Sequence, residues 1–356
     1  MDAIYIHIPF CMKKCAYCDF HSFEGKLDES KRYVDYLIKD FKSWPAYKYD
    51  TIYFGGGTPS LLDPDEVGRI LKEINYNEKS EITLELNPAT ANLNKLKAFK
   101  KNGINRLSIG IQSFNDDILK TLGRLHSSEK AIDTFNNARK AGFDNISIDL
   151  MFAVPGQGIN ELKKDLETIK LINPDHISIY SLIWEEGTPF WDMLQKGILK
   201  ECDNDLEADM FELIIDTLKD MGYVHYEISN FSKPTMEARH NSKYWENKEY
   251  IALGIGASFY VNNFRGKNVL SFNKYYEAID NLEKPWLEKE EVLNKKEYEY
   301  MLGLRLLNRG ILPTEDKIID LCKKLENDGF LKKHENRYIL TKKGLFLGNS
   351  VFEQFL

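Results

Sequence analysis

The fold is decided by residues 3 to 18, Ala3-Ile4-Tyr5-Ile6-His7-Ile8-Pro9-Phe10-Cys11-Met12-Lys13-Lys14-Cys15-Ala16-Tyr17-Cys18. Ala3–Ile8 has the β-branched and aromatic composition of a strand, and Pro9 ends it. Three cysteines follow, spaced Cys11-x3-Cys15-x2-Cys18. Further strand-like runs occur at Thr51–Phe54, Glu81–Leu86, Arg106–Ile111, Ile146–Met151 and His176–Leu182. Amphipathic stretches lie between them: Ser30–Ser43, Pro64–Ile74, Leu93–Asn102, Ser128–Ala141 and Gly158–Ile172. This alternation implies βαβ units around a parallel sheet. Ile146–Met151, apolar but for a break at Asp149, reads as a strand covered on both faces. Six units exceed a small open fold and fall short of an eight-stranded barrel. The expected class is therefore α/β, an incomplete (β/α)6 barrel, with a doubly wound open sheet as the alternative.

At 356 residues the chain is past the size at which one core stops growing. After Trp191 the rhythm changes. A helix over about Asp203–Met221 leads to a strand-like Val224–Phe231, a turn-rich stretch and the Gly-rich apolar segment Tyr250–Tyr260. Helical patterns over Lys295–Leu307 and Glu315–Asp328 then precede Gly329-Phe330-Leu331 and a strand pair around Tyr338–Leu340. Two helices followed by a two-stranded wing outline a winged-helix module. The expected division is 1–230 for the barrel, 231–291 for a connecting segment and 292–356 for a small C-terminal winged-helix-like domain.

Composition removes several classes of function. With 43% hydrophobic and 29% charged residues the chain is neither disordered nor low-complexity. A net charge of −7 argues against bulk affinity for polyanions. The last 65 residues carry 12 basic against 9 acidic side chains, a poor footprint for a nucleic-acid module. No apolar run approaches the roughly 18 residues of a membrane span. Five cysteines, three of them clustered, are not a disulfide framework. The opening residues lack a basic n-region and a cleavage site, so the expected setting is the cytoplasm, with reduced thiols.

The cysteine loop sits directly after the first strand, where (β/α) barrels build their active sites. Thiolates bind zinc or iron–sulfur clusters. A structural zinc needs four protein ligands and would have to borrow His7, His21 or Asp19. A [4Fe–4S] cube held by three cysteines leaves one iron open. That iron can chelate the amino and carboxylate groups of S-adenosylmethionine, and reduction then splits the C5′–S bond. The spacing favours the cluster and leaves zinc as the alternative. Gly55-Gly56-Gly57-Thr58-Pro59 closes the second strand, where glycines let backbone N–H groups approach a ligand; a tight βα turn is the plainer reading. Glu85, Gln112 and Asp149 lie among the last residues of their strands, as ligand contacts or as a hydrogen-bond network inside the barrel.

Tyr5-Ile6-His7-Ile8-Pro9-Phe10-Cys11 with Cys15-Ala16-Tyr17-Cys18-Asp19-Phe20 resembles the opening of the HemN/HemW branch of radical S-adenosylmethionine (SAM) enzymes. The likeness continues through Gly55–Ser60, Glu85-Leu86-Asn87-Pro88, Ser108–Phe114, Gly123-Arg124-Leu125-His126 and Ser147–Leu150, almost end to end. It implies a barrel with a winged-helix-like tail and a [4Fe–4S] cluster on Cys11, Cys15 and Cys18. Contacts to S-adenosylmethionine are implied at Tyr5, Tyr17, Gly56, Gly57, Thr58 and Glu85. Gln112, Arg124 and Asp149 correspond to positions that hold a second molecule of it in HemN.

Two departures decide between branches. HemN-type coproporphyrinogen III dehydrogenases, which oxidatively decarboxylate propionates to vinyls, carry a fourth cysteine two positions after the third; here it is Phe20. They also carry several dozen residues before the motif, against ten here. Both features are those of the heme chaperones in the branch. His240-Asn241-Ser242-Lys243-Tyr244-Trp245 resembles the H-N-x-x-Y-W stretch associated there with heme, which assigns His240, Tyr244 and Trp245 to heme; a histidine at a loop-to-strand junction beside core aromatics is the alternative. The expectation is a chaperone that binds a [4Fe–4S] cluster, S-adenosylmethionine and heme. Its expected partners are acceptor hemoproteins, membrane-associated ones included, and a second copy of the chain, with no nucleic acid. The dehydrogenase is the alternative.

Overall fold

The structure is a computed structural model describing all 356 residues. Six parallel strands run in sequence order: β1 (Ala3–Ile8), β2 (Tyr49–Gly56), β3 (Tyr76–Leu86), β4 (Arg106–Gln112), β5 (Ile146–Phe152) and β6 (His176–Ser181). Helices follow them: α1 (Ser30–Lys42), α2 (Pro64–Glu73), α3 (Leu93–Lys101), α4 (Asp116–Thr121), α5 (Ser128–Lys140), α6 (Ile159–Ile172) and α7 (Pro189–Gln195). Their starts are written locally. Asp63 accepts a hydrogen bond from Asp65 N at 2.9 Å with Pro64 at the first helical position, and Ser127 caps α5 the same way.

Each strand sorts its side chains by parity. In β4, Leu107, Ile109 and Ile111 enter the main core, while Arg106, Ser108, Gly110 and Gln112 line the lumen. In β5, Ile146, Ile148, Leu150 and Phe152 do the same against Asp149. β5 is covered on both faces as expected, but its inner one carries the polar Ser147 and Asp149 before Met151. The incomplete (β/α)6 barrel is the observed architecture, with a sheet wider than six strands.

Three added strands come from chain beyond α8 (Asn204–Asp220). The expected single strand over 224–231 is a hairpin, β7 (Val224–Glu227) and β8 (Asn230–Ser232), with β8 antiparallel to both β6 and β7. The short helix α9 (Arg239–Trp245) follows, then β9 (Ile251–Leu253), parallel to β1 with Ile4 opposite Ile251. The sheet order is therefore β9-β1-β2-β3-β4-β5-β6-β8-β7. β9 escapes a sequence reading because three apolar residues show no periodicity; only their register on β1 makes them a strand. A separate antiparallel sheet of β10 (Ser258–Val261), β11 (Phe264–Asn268) and β12 (Trp286–Glu291), with α10 (Phe272–Asp280), packs beside α1.

The tail has its own core around Leu304, Cys322, Leu325 and Val351. It comprises α11 (Lys295–Gly303), α12 (Asp316–Asn327) and the antiparallel pair β13 (Leu331–His334) and β14 (Arg337–Leu340). Helix α11 stops four residues short of the expected Leu307 because Leu306 bridges back to Glu227 on β7. Among the remaining thiols, Cys322 is buried in the tail core and Cys202 is half-buried just before α8. No helix is long and apolar enough to cross a membrane.

Candidate active site

A cavity of about 350 Å³ opens at the C-terminal ends of the strands and runs down into the lumen. Cys11, Cys15 and Cys18 all line it, half-buried and unpaired. Their loop is folded by a Cys18 N–H donating to Cys15 O at 3.2 Å. It is clamped from far along the chain: His21 Nε2 lies 2.7 Å from Leu270 O, and Phe10 stacks on Phe272 at 6.0 Å. Cys11 Sγ lies 3.7 Å from Thr58 Oγ1, and Arg124 Nη1 donates to Cys15 Sγ at 3.4 Å. Burial pushes the Cys18 thiol up to about 11.

The donors do not form a site for one ion. No three His, Cys, Asp or Glu side chains converge on one point. The imidazoles that zinc would borrow are engaged, His7 Nδ1 3.0 Å from the Tyr5 hydroxyl and His7 Nε2 2.8 Å from His21 O. A guanidinium beside sulfur suits a thiolate. The loop is also shaped by absence of bulk. A Cβ on Gly57 would stand 2.7 Å from Phe10 O and 3.1 Å from Cys11 Sγ, and one on Gly56, at φ +112°, would overlap the His7 ring.

Gly56, Gly57 and Thr58 line the cavity as expected, but through a different chemistry. Gly56 N donates to Glu85 Oε2 at 3.1 Å and Gly57 N to Ile8 O at 2.9 Å. Those N–H groups are spent inside the protein, so a ligand meets acceptors here. Glu85 also accepts from the Tyr53 hydroxyl at 2.8 Å. Burial, with a further push from Asp149 and against the Tyr53 bond, raises its carboxyl to about 7. Asp149, raised by burial, accepts from Ser108 Oγ at 3.0 and 3.2 Å. Gln112 has φ +72° at a register slip against β5, which turns its carboxamide inward; the Tyr180 hydroxyl donates to its Oε1 at 3.3 Å. Arg124 also donates to Gly110 O at 2.5 Å, and Tyr17 lies across the same cavity wall.

Four expected residues are elsewhere. Tyr5 lies behind the lining, its ring stacked on Tyr53 at 6.1 Å. His240 is on helix α9, not at a loop-to-strand junction, and is 1% exposed. Its Nδ1 is 2.9 Å from Thr51 Oγ1 and its Nε2 2.7 Å from the Tyr244 hydroxyl, while its ring stacks on Tyr53 at 5.1 Å. Burial lowers its pKa to about 3, so it is neutral, with neither nitrogen free to meet an iron. Tyr244 packs edge-on against Tyr250, and Trp245 lies under the Arg305 guanidinium at 4.2 Å. Trp245 borders a second, separate cleft against the tail.

The structure adds lining residues that sequence reasoning passed over: Tyr53, Arg106, Ser178, Tyr180 and Asn230. A signal existed for Arg106. The polar or small residues of β4 recur at every second position from 106 to 112, the mark of one polar face.

Residues 5–169 match the family profile of the Radical SAM superfamily. Full-length relatives include the heme chaperone HemW of Lactococcus lactis, 37% identical over 100% of this chain and 97% of that protein. The heme chaperone HemW of Bacillus subtilis is 35% identical over 100% and 99%. The mitochondrial radical S-adenosyl methionine domain-containing protein 1 of Danio rerio is 36% identical over 72% of this chain and 59% of its own length. Among solved structures, coproporphyrinogen III oxidase HemN of Escherichia coli, a radical SAM enzyme, superposes with a TM-score of 0.84 over 99% of this chain and 90% of that one, at 20% identity. That last likeness concerns the fold.

Proposed function

The chain belongs to the HemW family of the radical SAM superfamily, and from that premise we propose that it is a heme chaperone that passes heme to acceptor hemoproteins. Membership implies a [4Fe–4S] cluster and S-adenosylmethionine. In our reading Cys11, Cys15 and Cys18 hold the cluster, which when bound supplies an electron and an open coordination site. Gly56, Gly57 and Glu85 present acceptors to the ammonium of S-adenosylmethionine, and Thr58, Tyr17 and Tyr5 complete that wall. Gln112, Arg124 and Asp149 face the same lumen and accommodate a second copy. A reducing, cytoplasmic setting and a homodimer belong to the same reading.

The observation that carries the chaperone over the decarboxylase is Phe20. It is 62% exposed on the lip of the cavity, where a fourth cysteine would otherwise stand. An apolar ring held in water there suits contact with a flat apolar macrocycle or an acceptor protein. His240 reaches an iron only when its bonds to Thr51 and Tyr244 open, so Tyr244 and Trp245 are the more accessible members of the heme-associated stretch. The test is anaerobic and uses the cluster-reconstituted chain. Heme should shift its Soret band on binding and pass to an apo-hemoprotein, and coproporphyrinogen III with a reductant should yield no vinyl product. Decarboxylation, or an unchanged Soret band, overturns the proposal.

A further inference from the structure

We infer that the floor of the cavity is a carboxylate-binding subsite anchored by Arg106. This rests on the reading above, since it names how a ligand of the same cavity is gripped. Arg106 begins β4, is 2% exposed, and lines the cavity beneath the cysteine loop. Its Nε has no hydrogen-bond partner, and its guanidinium forms neither a side-chain hydrogen bond nor an ion pair with the protein. Buried arginines are held by matched acceptors, because a buried charge without them is strongly unfavourable.

The neighbouring carboxylates do not supply the match. Glu85 is occupied by the Tyr53 hydroxyl and Gly56 N, and Asp149 by Ser108. Arg106 is nevertheless central to the lumen. Its charge is felt by Tyr53, Glu85, Asp149, His176, Tyr226 and His240, which come from five strands and a helix. Across the cavity the buried Asn230 donates through Nδ2 to Glu227 but leaves Oδ1 without a partner. The unmatched planar fork of donors calls for a ligand end made of acceptors, while Asn230 Oδ1 calls for a donor elsewhere on the same ligand. A carboxylate is the group whose two oxygens fit a guanidinium in parallel.

Two ligands of the proposed function carry carboxylates that could reach the floor: heme, through its propionates, and the second copy of S-adenosylmethionine, through its amino-acid end, that of the first being taken up by the open iron of the cluster. The experiment uses the full, cluster-reconstituted chain and compares wild type with Arg106→Gln and Arg106→Lys. Lysine keeps the buried charge but loses the fork, and safeguards against misfolding in the glutamine variant. Soret titrations compare heme with its dimethyl ester, and equilibrium dialysis compares S-adenosylmethionine with its decarboxylated analogue. Arg106→Gln should weaken one carboxylate ligand about 10- to 100-fold, while its carboxyl-free counterpart binds wild type and variant alike. Arg106→Lys should fall between. Loss confined to heme assigns the propionate, and loss confined to S-adenosylmethionine assigns the amino-acid end. Equal changes for both members of each pair, or none, overturn the subsite. If the dimethyl ester leaves the wild-type Soret band unmoved along with heme itself, the heme reading has failed instead.

Discussion

Glu85 carries a measurable cost of its position. Its folded-state carboxyl titrates near 7 against an ordinary 4.5, chiefly through burial. The fold therefore prefers it protonated. Its contribution is fully present below about pH 4.5 and is lost as pH rises through about 7. Glu85→Gln removes that loss. We expect the cluster-free variant to gain on wild type in thermal melts between pH 4.5 and 7, with a constant gap above, worth at most about 3 kcal/mol. Parallel melting curves from pH 5 to 8 would refute this. At this scale the cysteines, Gly57 and Glu85 were legible because each sits in a short motif whose chemistry is local. Asn230 and Tyr180 were not. Asn230 faces the lumen only because its strand doubles back on β6, a contact absent from the neighbouring residues.

Helix α9 shows the same limit for an element. At seven residues it is too short to stand on propensity, and Ala238 at its start offers no cap. Its first turn is satisfied from across the sheet instead: Arg239 N and His240 N donate to the Glu81 carboxylate of β3 at 3.0 and 2.9 Å. A carboxylate there also complements the helix dipole. Glu81→Ala should cost about 1–2 kcal/mol and raise amide exchange over 239–245, with residues 295–356 unaffected. Unchanged exchange in α9 would show that packing alone holds it. The strands β1 to β6 and the helices α1, α2, α3, α5 and α6 could be read from periodicity to within a few residues at their ends, whereas α4 and α7, at six and seven residues, are too short to show a period. The polar first half of β3, Tyr76–Ser80, could not, because it is a strand only through pairing with β2 at Tyr49.

In the whole molecule, two cores meet across several contacts, and one ion pair among them is buried. Glu227 is fully buried on β7, and Arg305 of the tail donates to it at 2.8 Å while lying over Trp245. Ser229 N and Asn230 Nδ2 also reach Glu227, so removing the arginine strips part of its compensation, not all. Arg305→Ala should destabilise the tail by about 3 kcal/mol and split calorimetric unfolding into two transitions. A single transition at the wild-type temperature would show that the tail is held by apolar packing. The tail's outline was legible because its helices and wing follow each other directly. Its seat on the barrel depends on residues some 78 positions apart, which no local pattern reports.

The clamp on the cysteine loop has a consequence in time. His21 and its partner Leu270 are separated by 249 residues, and β1 gains its outer neighbour only when Ile251–Leu253 exists. A ribosome adding about 5–20 residues per second leaves the thiols without their clamp for roughly 12–50 s. The loop made first is thus the one completed last, and a chain released at residue 250 should retain little iron after reconstitution even though all three thiols of the loop, Cys11, Cys15 and Cys18, are present. Loading the metal is then an event that follows synthesis, and an interrupted chain leaves no prematurely charged product.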